Sequence, residues 1–408
     1  MPHQSAFNSE RYRRYFPAAI CSTLGGWTVR FLLGWSAWEL TQSATWVGVV
    51  AGLMLAPALV LSPMFGIVAD RINPRNGLLL TVAAQGVLAV AASVALWLEI
   101  FTLPVLLLFS VALGVATSAQ TPIRLALVPV LVPREALPSA IGYSAVTFNT
   151  SRILGPALGA WLLLVASPMV AFLAAAFLML GALPFLFYIQ GISMQRVDKP
   201  EARFFQQLAD GWHYTRHHFS IRLTLGFTLV NAMLGRTVIE LLPALSGQLL
   251  AGDSATLATL TASAGAGSIV GGLVVSRQGS SEVRLFAIMS GVLAAGALLV
   301  AILGFAGNLP TVGVLIALIS LITTIAGTSG QALAQLLVDD AYRGRVLSLW
   351  TMLAMGAPAL GAVLMGWLAD RLTFSPVLAG FGLLSLAAVY WLNKRRKGIH
   401  PDTAGSPR

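Results

Sequence analysis

Stretches of about 20 apolar residues recur along almost the whole of this chain, each long enough to cross about 30 Å of hydrocarbon as a helix. Only 10% of the residues are charged and 57% are hydrophobic, too little charge to cover the surface of a 408-residue soluble protein. The solvent these segments imply is lipid. Short alternating strands of a barrel do not give such unbroken runs, so the expected fold class is an all-α membrane protein. At roughly 34 residues per span and connector, the length accommodates about twelve transmembrane helices. The spans fall near 16–38, 45–69, 77–98, 102–126, 137–165, 168–190, 219–247, 254–276, 284–304, 309–337, 346–369 and 374–393.

The net charge of +10 invites a nucleic-acid partner, but its distribution argues for topology instead. With both termini cytoplasmic, Arg11, Arg13, Arg14, Arg71, Arg75, Arg134, Arg196, Lys199, Arg203, Arg216, Arg222, Arg277, Arg284, Arg343, Arg345, the run Lys394 to Lys397 and Arg408 all fall at the inner face. Only Arg371 falls outside. This is the positive-inside pattern of a multi-pass protein of the bacterial inner membrane, and no nucleic-acid partner is implied. The N-terminal segment reads as a cytoplasmic tail entering a retained first helix. A single cysteine, Cys21, excludes a disulfide framework and a Cys-rich metal site. Neither a cofactor nor a metal is expected.

The longest polar interval, about 191–218, divides the chain nearly in half. Within it Phe204, Phe205, Leu208 and Trp212 recur at helical spacing, which predicts an amphipathic helix on the inner membrane surface. The organisation expected is therefore a six-helix bundle over 1–190, this inter-bundle segment over 191–218, a second six-helix bundle over 219–393 and a basic tail over 394–408.

The halves repeat one another. Thr23-Leu24-Gly25, Gly34 and Glu39-Leu40 return as Thr224-Leu225-Gly226, Gly235 and Glu240-Leu241, placing Arg30 opposite Asn231. Thr117-Ser118-Ala119-Gln120 matches Thr328-Ser329-Gly330-Gln331, and Gly155-Pro156-Ala157-Leu158-Gly159 matches Ala357-Pro358-Ala359-Leu360-Gly361. Ser167-Pro168 matches Ser375-Pro376. The matches keep their order, and parallel repeats with a midplane site are a transporter architecture.

After the second span comes Gly66-Ile67-Val68-Ala69-Asp70-Arg71-Ile72-Asn73-Pro74-Arg75. The segment resembles the signature of the major facilitator superfamily, with Asn73 where that family usually has Gly. The resemblance implies a loop in which Gly66, Asp70, Arg71 and Arg75 latch the two halves in one state of a transport cycle. A degenerate copy, Gly272 to Arg277, follows the eighth span. A further likeness, Gly366-Trp367-Leu368-Ala369-Asp370-Arg371, falls on the outward side and reads as coincidence. Gly155-Pro156-x-x-Gly159 resembles the exporter motif of the same superfamily; Pro156 bends the helix while Gly155 and Gly159 permit close helix contact. Glu39 to Ser43, Leu131 to Leu137, Phe148-Asn149, Arg152, Asp210-Gly211-Trp212 and Tyr342 to Val346 resemble the branch of enterobactin exporters and macrolide efflux proteins.

Charge inside a membrane is costly and calls for an explanation. Arg30, Arg152 and Arg236 each lie about 15 residues into an outward-running helix, the first, fifth and seventh. The superfamily resemblance implies that the first and seventh helices line a central cavity with the fifth beside it, which these arginines would make electropositive and suited to carboxylates or catecholates. Trp27, Asn149, Gln120 and Asn231 are further candidates for contact with a small-molecule substrate. Internal pairing is the competing reading, and Arg236 with Glu240 four residues on is its clearest case. All five histidines lie outside the spans, so coupling to a proton or other ion gradient falls to Glu240 first and Glu39 second. The function expected is export of a small anionic metabolite, such as a siderophore, by a monomeric secondary transporter. The alternatives are efflux of a drug, a macrolide or a lysophospholipid and, more remotely, an intramembrane enzyme or a transporter-like receptor. An enzyme would need a nucleophile with a base, or a His/Asp cluster, at membrane depth, and the absence of any His from the spans argues against it.

Overall fold

A computed structural model describes residues 5–189, 204–276, 281–339 and 342–397. Every regular element among them is helical. The first half runs through α1 (Glu10–Thr41), α2 (Ala44–Arg71), α3 (Pro74–Trp97), α4 (Leu103–Leu131), α5 (Leu137–Val165), α6 (Pro168–Gly181) and the short α7 (Leu183–Phe187). The second begins with α8 (Phe204–His217), followed by α9 (Phe219–Asn231), a π-helical segment (Ala232–Arg236), α10 (Thr237–Glu240) and α11 (Leu242–Leu250). It ends with α12 (Ser254–Ser276), α13 (Glu282–Leu303), α14 (Leu309–Leu336), α15 (Arg343–Leu372) and α16 (Phe374–Lys397).

Nine helices among the described residues are long and apolar enough to cross a membrane, or ten when the bent α9 to α11 segment is one span. The expectation of twelve rests further on α2 and α5, which at 28 and 29 residues reach about 42 Å.

The boundaries follow local chemistry. Asn73 accepts from the Arg75 N–H at 3.0 Å while Pro74 opens α3, so Asn73-Pro74 forms the turn expected of it. Ser167 caps α6 ahead of Pro168, and Asn308 caps α14 by accepting from the Thr311 N–H at 3.0 Å.

The chain forms two compact units. One comprises residues 1–42 and 50–200, the other 43–49 and 201–408. Helix α2 therefore starts among second-unit residues and continues in the first. In the first unit α1 packs against α5 and α6, and α3 against α4 and α6. In the second, α14 packs against α12 and α13, α13 against α16, and α15 against α8 and α9.

Two expectations change. The seventh span is not a continuous helix over 219–247: the π segment interrupts it, and a bend of 64° separates Phe219–Glu240 from Leu242–Leu250. At the π segment the Thr237 hydroxyl donates to the Ala232 carbonyl at 3.1 Å, five residues back, and at the bend Pro243 sits in the first turn of α11, where a proline is tolerated. The sixth span likewise breaks at Ala182. The amphipathic helix is present as α8, with Trp212 61% exposed. The interval 190–203, Arg277 of the degenerate copy and the tail from 398 lie outside the described residues, as do the side chains of Asp70, Phe204, Phe205 and Leu208.

Candidate functional site

Helices α1 and α5 meet where glycine removes the side chain. A Cβ on Gly155 would lie 2.5 Å from Trp27 Cβ and 3.0 Å from the Thr28 nitrogen, and one on Gly159 would lie 2.6 Å from the Phe31 ring. The Thr28 hydroxyl donates to the Leu24 carbonyl at 2.9 Å and reaches the Gly155 carbonyl at 3.2 Å. Pro156 leaves the helix intact. The Gly155-Pro156-x-x-Gly159 motif is thus one wall of a tight seam whose other wall is Trp27 to Phe31.

That seam sets aromatic rings beside arginine. The Arg30 guanidinium carbon stands 5.4 Å from the centre of the Trp27 ring, and Trp27 meets Phe148 of α5 edge to face with centroids 5.7 Å apart. Arg152, half-buried, follows Phe148 by four residues and so shares its helix face. Trp27, Arg30 and Phe148 therefore meet across two packed helices, with Arg152 on the Phe148 face of α5. A guanidinium beside aromatic rings can pair with an anionic group while the rings contact an apolar or flat portion of the same molecule.

Gln120 is buried nearby in the same unit. Its carbonyl oxygen accepts from Gln85 at 3.2 Å, while its own amide nitrogen has no partner among the described residues. Gln85, 2% exposed, was not a sequence candidate; a lone amide within the apolar run 77–98 was the available signal. Arg124 donates to the Thr23 hydroxyl at 3.1 Å, tying α4 to α1. Asn149 is exposed and donates to the Ala145 carbonyl of its own helix at 2.9 Å.

In the second unit Asn231 is buried at the end of α9. Its amide donates to the Thr323 carbonyl of α14 at 3.3 Å, and its side-chain oxygen has no partner among the described residues. Arg236 closes the π segment and Glu240 ends the turn that follows, both half-buried at the bend. Glu39 is exposed near the end of α1. The internal repeat is visible as packing. Thr237 Oγ1 sits 3.5 Å from the Pro358 carbonyl, and a Cβ on Gly361 would run into the same hydroxyl, so α10 meets α15 closely as α1 meets α5, although Thr237 aligns with Ser36 and not with Thr28.

The loop after α2 is used locally. Arg75 donates from Nε to the Leu186 carbonyl at 2.9 Å and from a terminal nitrogen to Phe187 at 2.6 Å, capping the end of α7. Arg71 is exposed. Within Gly366 to Arg371, Asp370 is heavily bonded. Asp370 accepts five hydrogen bonds, from the Ser43 hydroxyl at 2.5 Å, the Ala44 and Thr45 N–H groups at 2.9 and 3.0 Å, the Thr45 hydroxyl at 2.6 Å and Gln248 at 2.9 Å. These partners lie far from Asp370 in sequence, and the Gly366 to Arg371 spacing alone gives no sign of them.

Residues 3–402 match the model of the transmembrane secretion effector family. The chain belongs to that family. Among relatives of this secretion effector, the staphyloferrin A transporter of Staphylococcus aureus is 26% identical over 398 residues, covering 94% of this chain and 96% of that protein. Macrolide efflux protein A of Streptococcus pyogenes is 25% identical over 378 residues, covering 88% and 90%. A POT family transporter solved in complex with 5-aminolevulinic acid superposes with a TM-score of 0.73 at 14% identity over 95% and 96% of the two chains. A bacterial homologue of the human lysosomal transporter Spinster gives 0.66 at 15% identity over 94% and 95%. At such identities the structural likeness speaks for the fold alone. The secretion effector is a multi-pass membrane transporter with the major facilitator fold, and its membrane setting follows from the apolar spans.

Proposed function

We propose that this transporter exports a small anionic metabolite of the siderophore class across the bacterial inner membrane, by alternating access and at the expense of a proton gradient. The observation that carries the reading is the α1–α5 seam, where Arg30 faces Trp27 and Trp27 meets Phe148 beside Arg152. Arginine binds carboxylate and catecholate oxygens in a fork, and the rings hold the flat apolar part of such a molecule. A relative named as a staphyloferrin A transporter agrees with this class. Gln120 and Asn149 are supporting polar candidates within the first unit, and Arg236 and Asn231, in the second unit, are proposed as substrate contacts by residue type. Glu240, half-buried at the bend, is the coupling carboxylate and Glu39 the second choice. Gly66, Asp70 and Arg71 act in the conformational cycle, both termini are cytoplasmic, and the protein works as a monomer.

Efflux of a macrolide or another amphipathic compound is the second reading, favoured by the Trp27–Phe148 pair and by the relatives named as macrolide efflux proteins. The two separate in one experiment. Siderophore in the medium is measured from iron-starved cells lacking the gene, alongside their macrolide susceptibility. Siderophore retained inside the deletion strain, and released again on complementation, supports the first reading. Undisturbed secretion with raised macrolide susceptibility replaces it by the second.

A further inference from the structure

The structure assigns Asp370 as the catch of a latch that holds the start of α2 in the second unit and must let go during the transport cycle. The inference rests on the alternating-access reading above, but its observations are separate.

A helix N-terminus leaves N–H groups without intrahelical partners, and a nearby residue normally supplies the cap. Here the cap arrives from 325 to 327 residues away. One carboxylate takes the first two N–H groups of α2, the two hydroxyls of Ser43 and Thr45, and the amide of Gln248 on α11. Charge-assisted bonds of this kind are the strong ones, and a negative charge at a helix N-terminus adds the favourable dipole term.

The backbones behind the carboxylate are in close contact. A Cβ on Gly48 would lie 2.5 Å from the Ala362 carbonyl carbon and oxygen, and one on Gly366 would collide with the Ala44 carbonyl. Gly48 of α2 and Gly366 of α15 thus form a zipper of small residues that only close helices can use. The connections on either side are bent into unusual backbone. Gln42 precedes the latch at φ 49, and Thr373, three residues past Asp370, lies at φ 71 and ψ 164, a region that β-branched residues avoid. Strain held beside a dense hydrogen-bond hub is what a two-state catch requires, since the bonds maintain one arrangement and the strain favours leaving it. Residues 43–49 are the part of α2 that belongs to the second unit, so release frees the start of this helix.

The test needs no substrate. In purified protein with Cys21→Ser, Val47→Cys places a thiol at a position 1% exposed, two residues beyond Thr45. Its reaction with a fluorescent maleimide is timed with Asp370 intact and with Asp370→Asn. The latch predicts at least a fivefold faster reaction in the Asn variant, and a smaller rise of the same sign for Ser43→Ala combined with Thr45→Val. The paired variant carries the test if Asp370→Asn does not yield folded protein. Equal rates in folded variants overturn the latch. Faster reaction in a protein whose deletion leaves siderophore and macrolide handling unchanged retains the latch and removes the substrate assignment, so the two failures are distinguishable.

Discussion

The hydroxyl of Thr28 lies 3.2 Å from the carbonyl oxygen of Gly155, bridging two helices 127 residues apart at the point where neither has room for another side chain. This contact fixes the α1–α5 seam on which Arg30 and Trp27 are carried. Replacing Gly155 by Ala puts a methyl 2.5 Å from Trp27 Cβ and drives the helices apart, at a cost of about 1–3 kcal/mol. Gly34 on α1 has open space around its Cβ position, so Gly34→Ala is neutral or stabilises by up to about 1 kcal/mol. Thermal unfolding of the two variants in detergent checks the contrast, and equal effects would show that the seam is loose.

Trp27 and Arg30 should lose ligand affinity as a pair. A cation over an indole face contributes about 0.5–2 kcal/mol, so Trp27→Ala weakens binding by roughly 2- to 30-fold. Arg30→Ala weakens it further, and the double variant costs less than the sum because each residue positions the other. Tryptophan fluorescence and calorimetric titration of the purified variants with an apo-siderophore measure all four corners. Strict additivity would mean that the stacked pair does not act on the ligand together.

Outside the membrane, the Tyr214 hydroxyl donates to Asp339 at 2.8 Å and its ring stacks on Tyr342 at 4.3 Å. Burial and the Asp339 carboxylate push the Tyr214 pKa above its usual value. Because the folded-state value is raised, the associated stability is fully present below the ordinary tyrosine pKa near 10 and is lost as pH rises through the higher folded value. Tyr214→Phe removes a bond to a charged acceptor, costs about 1.5–3 kcal/mol and abolishes that alkaline loss. Ultraviolet titration of the phenolate against unfolding temperature tests both statements.

Glu240 should control coupling without controlling binding. Glu240→Gln keeps the size of the side chain and removes its charge change, so substrate affinity stays within about twofold while uphill transport driven by a pH gradient falls at least tenfold. Exchange of substrate at equal concentrations on both sides survives in the variant. Uphill transport at the wild-type rate would transfer the coupling role to Glu39.

Much of this was legible in residue order. The apolar runs showed that the chain is helical and spans a membrane, Asn73-Pro74 marked a turn that the structure keeps, and Gly155 and Gly159 showed where a helix had to come close. Hydropathy reports how a segment meets lipid, not how its backbone is wound, so the π segment at Ala232–Arg236 left no trace in it. The Thr237 hydroxyl accompanies it by reaching back five residues to the Ala232 carbonyl. Gln85 was missed because its partner Gln120 lies 35 residues away, and long-range pairs carry no local pattern. Asp370 failed for the opposite reason. Its pattern was noticed, but its role lies in partners more than 300 residues earlier, which only folding brings near.

The most direct test of the central claim is uptake into everted membrane vesicles, where an exporter moves substrate inward. Vesicles with wild-type protein, Arg30→Ala or Arg152→Ala are supplied with radiolabelled apo-siderophore under an imposed pH gradient. The account predicts gradient-dependent uptake by the wild type and at least a tenfold loss in each variant at equal protein levels. Uptake that is absent from the wild type, or that survives both substitutions, contradicts export through the arginine-bearing seam.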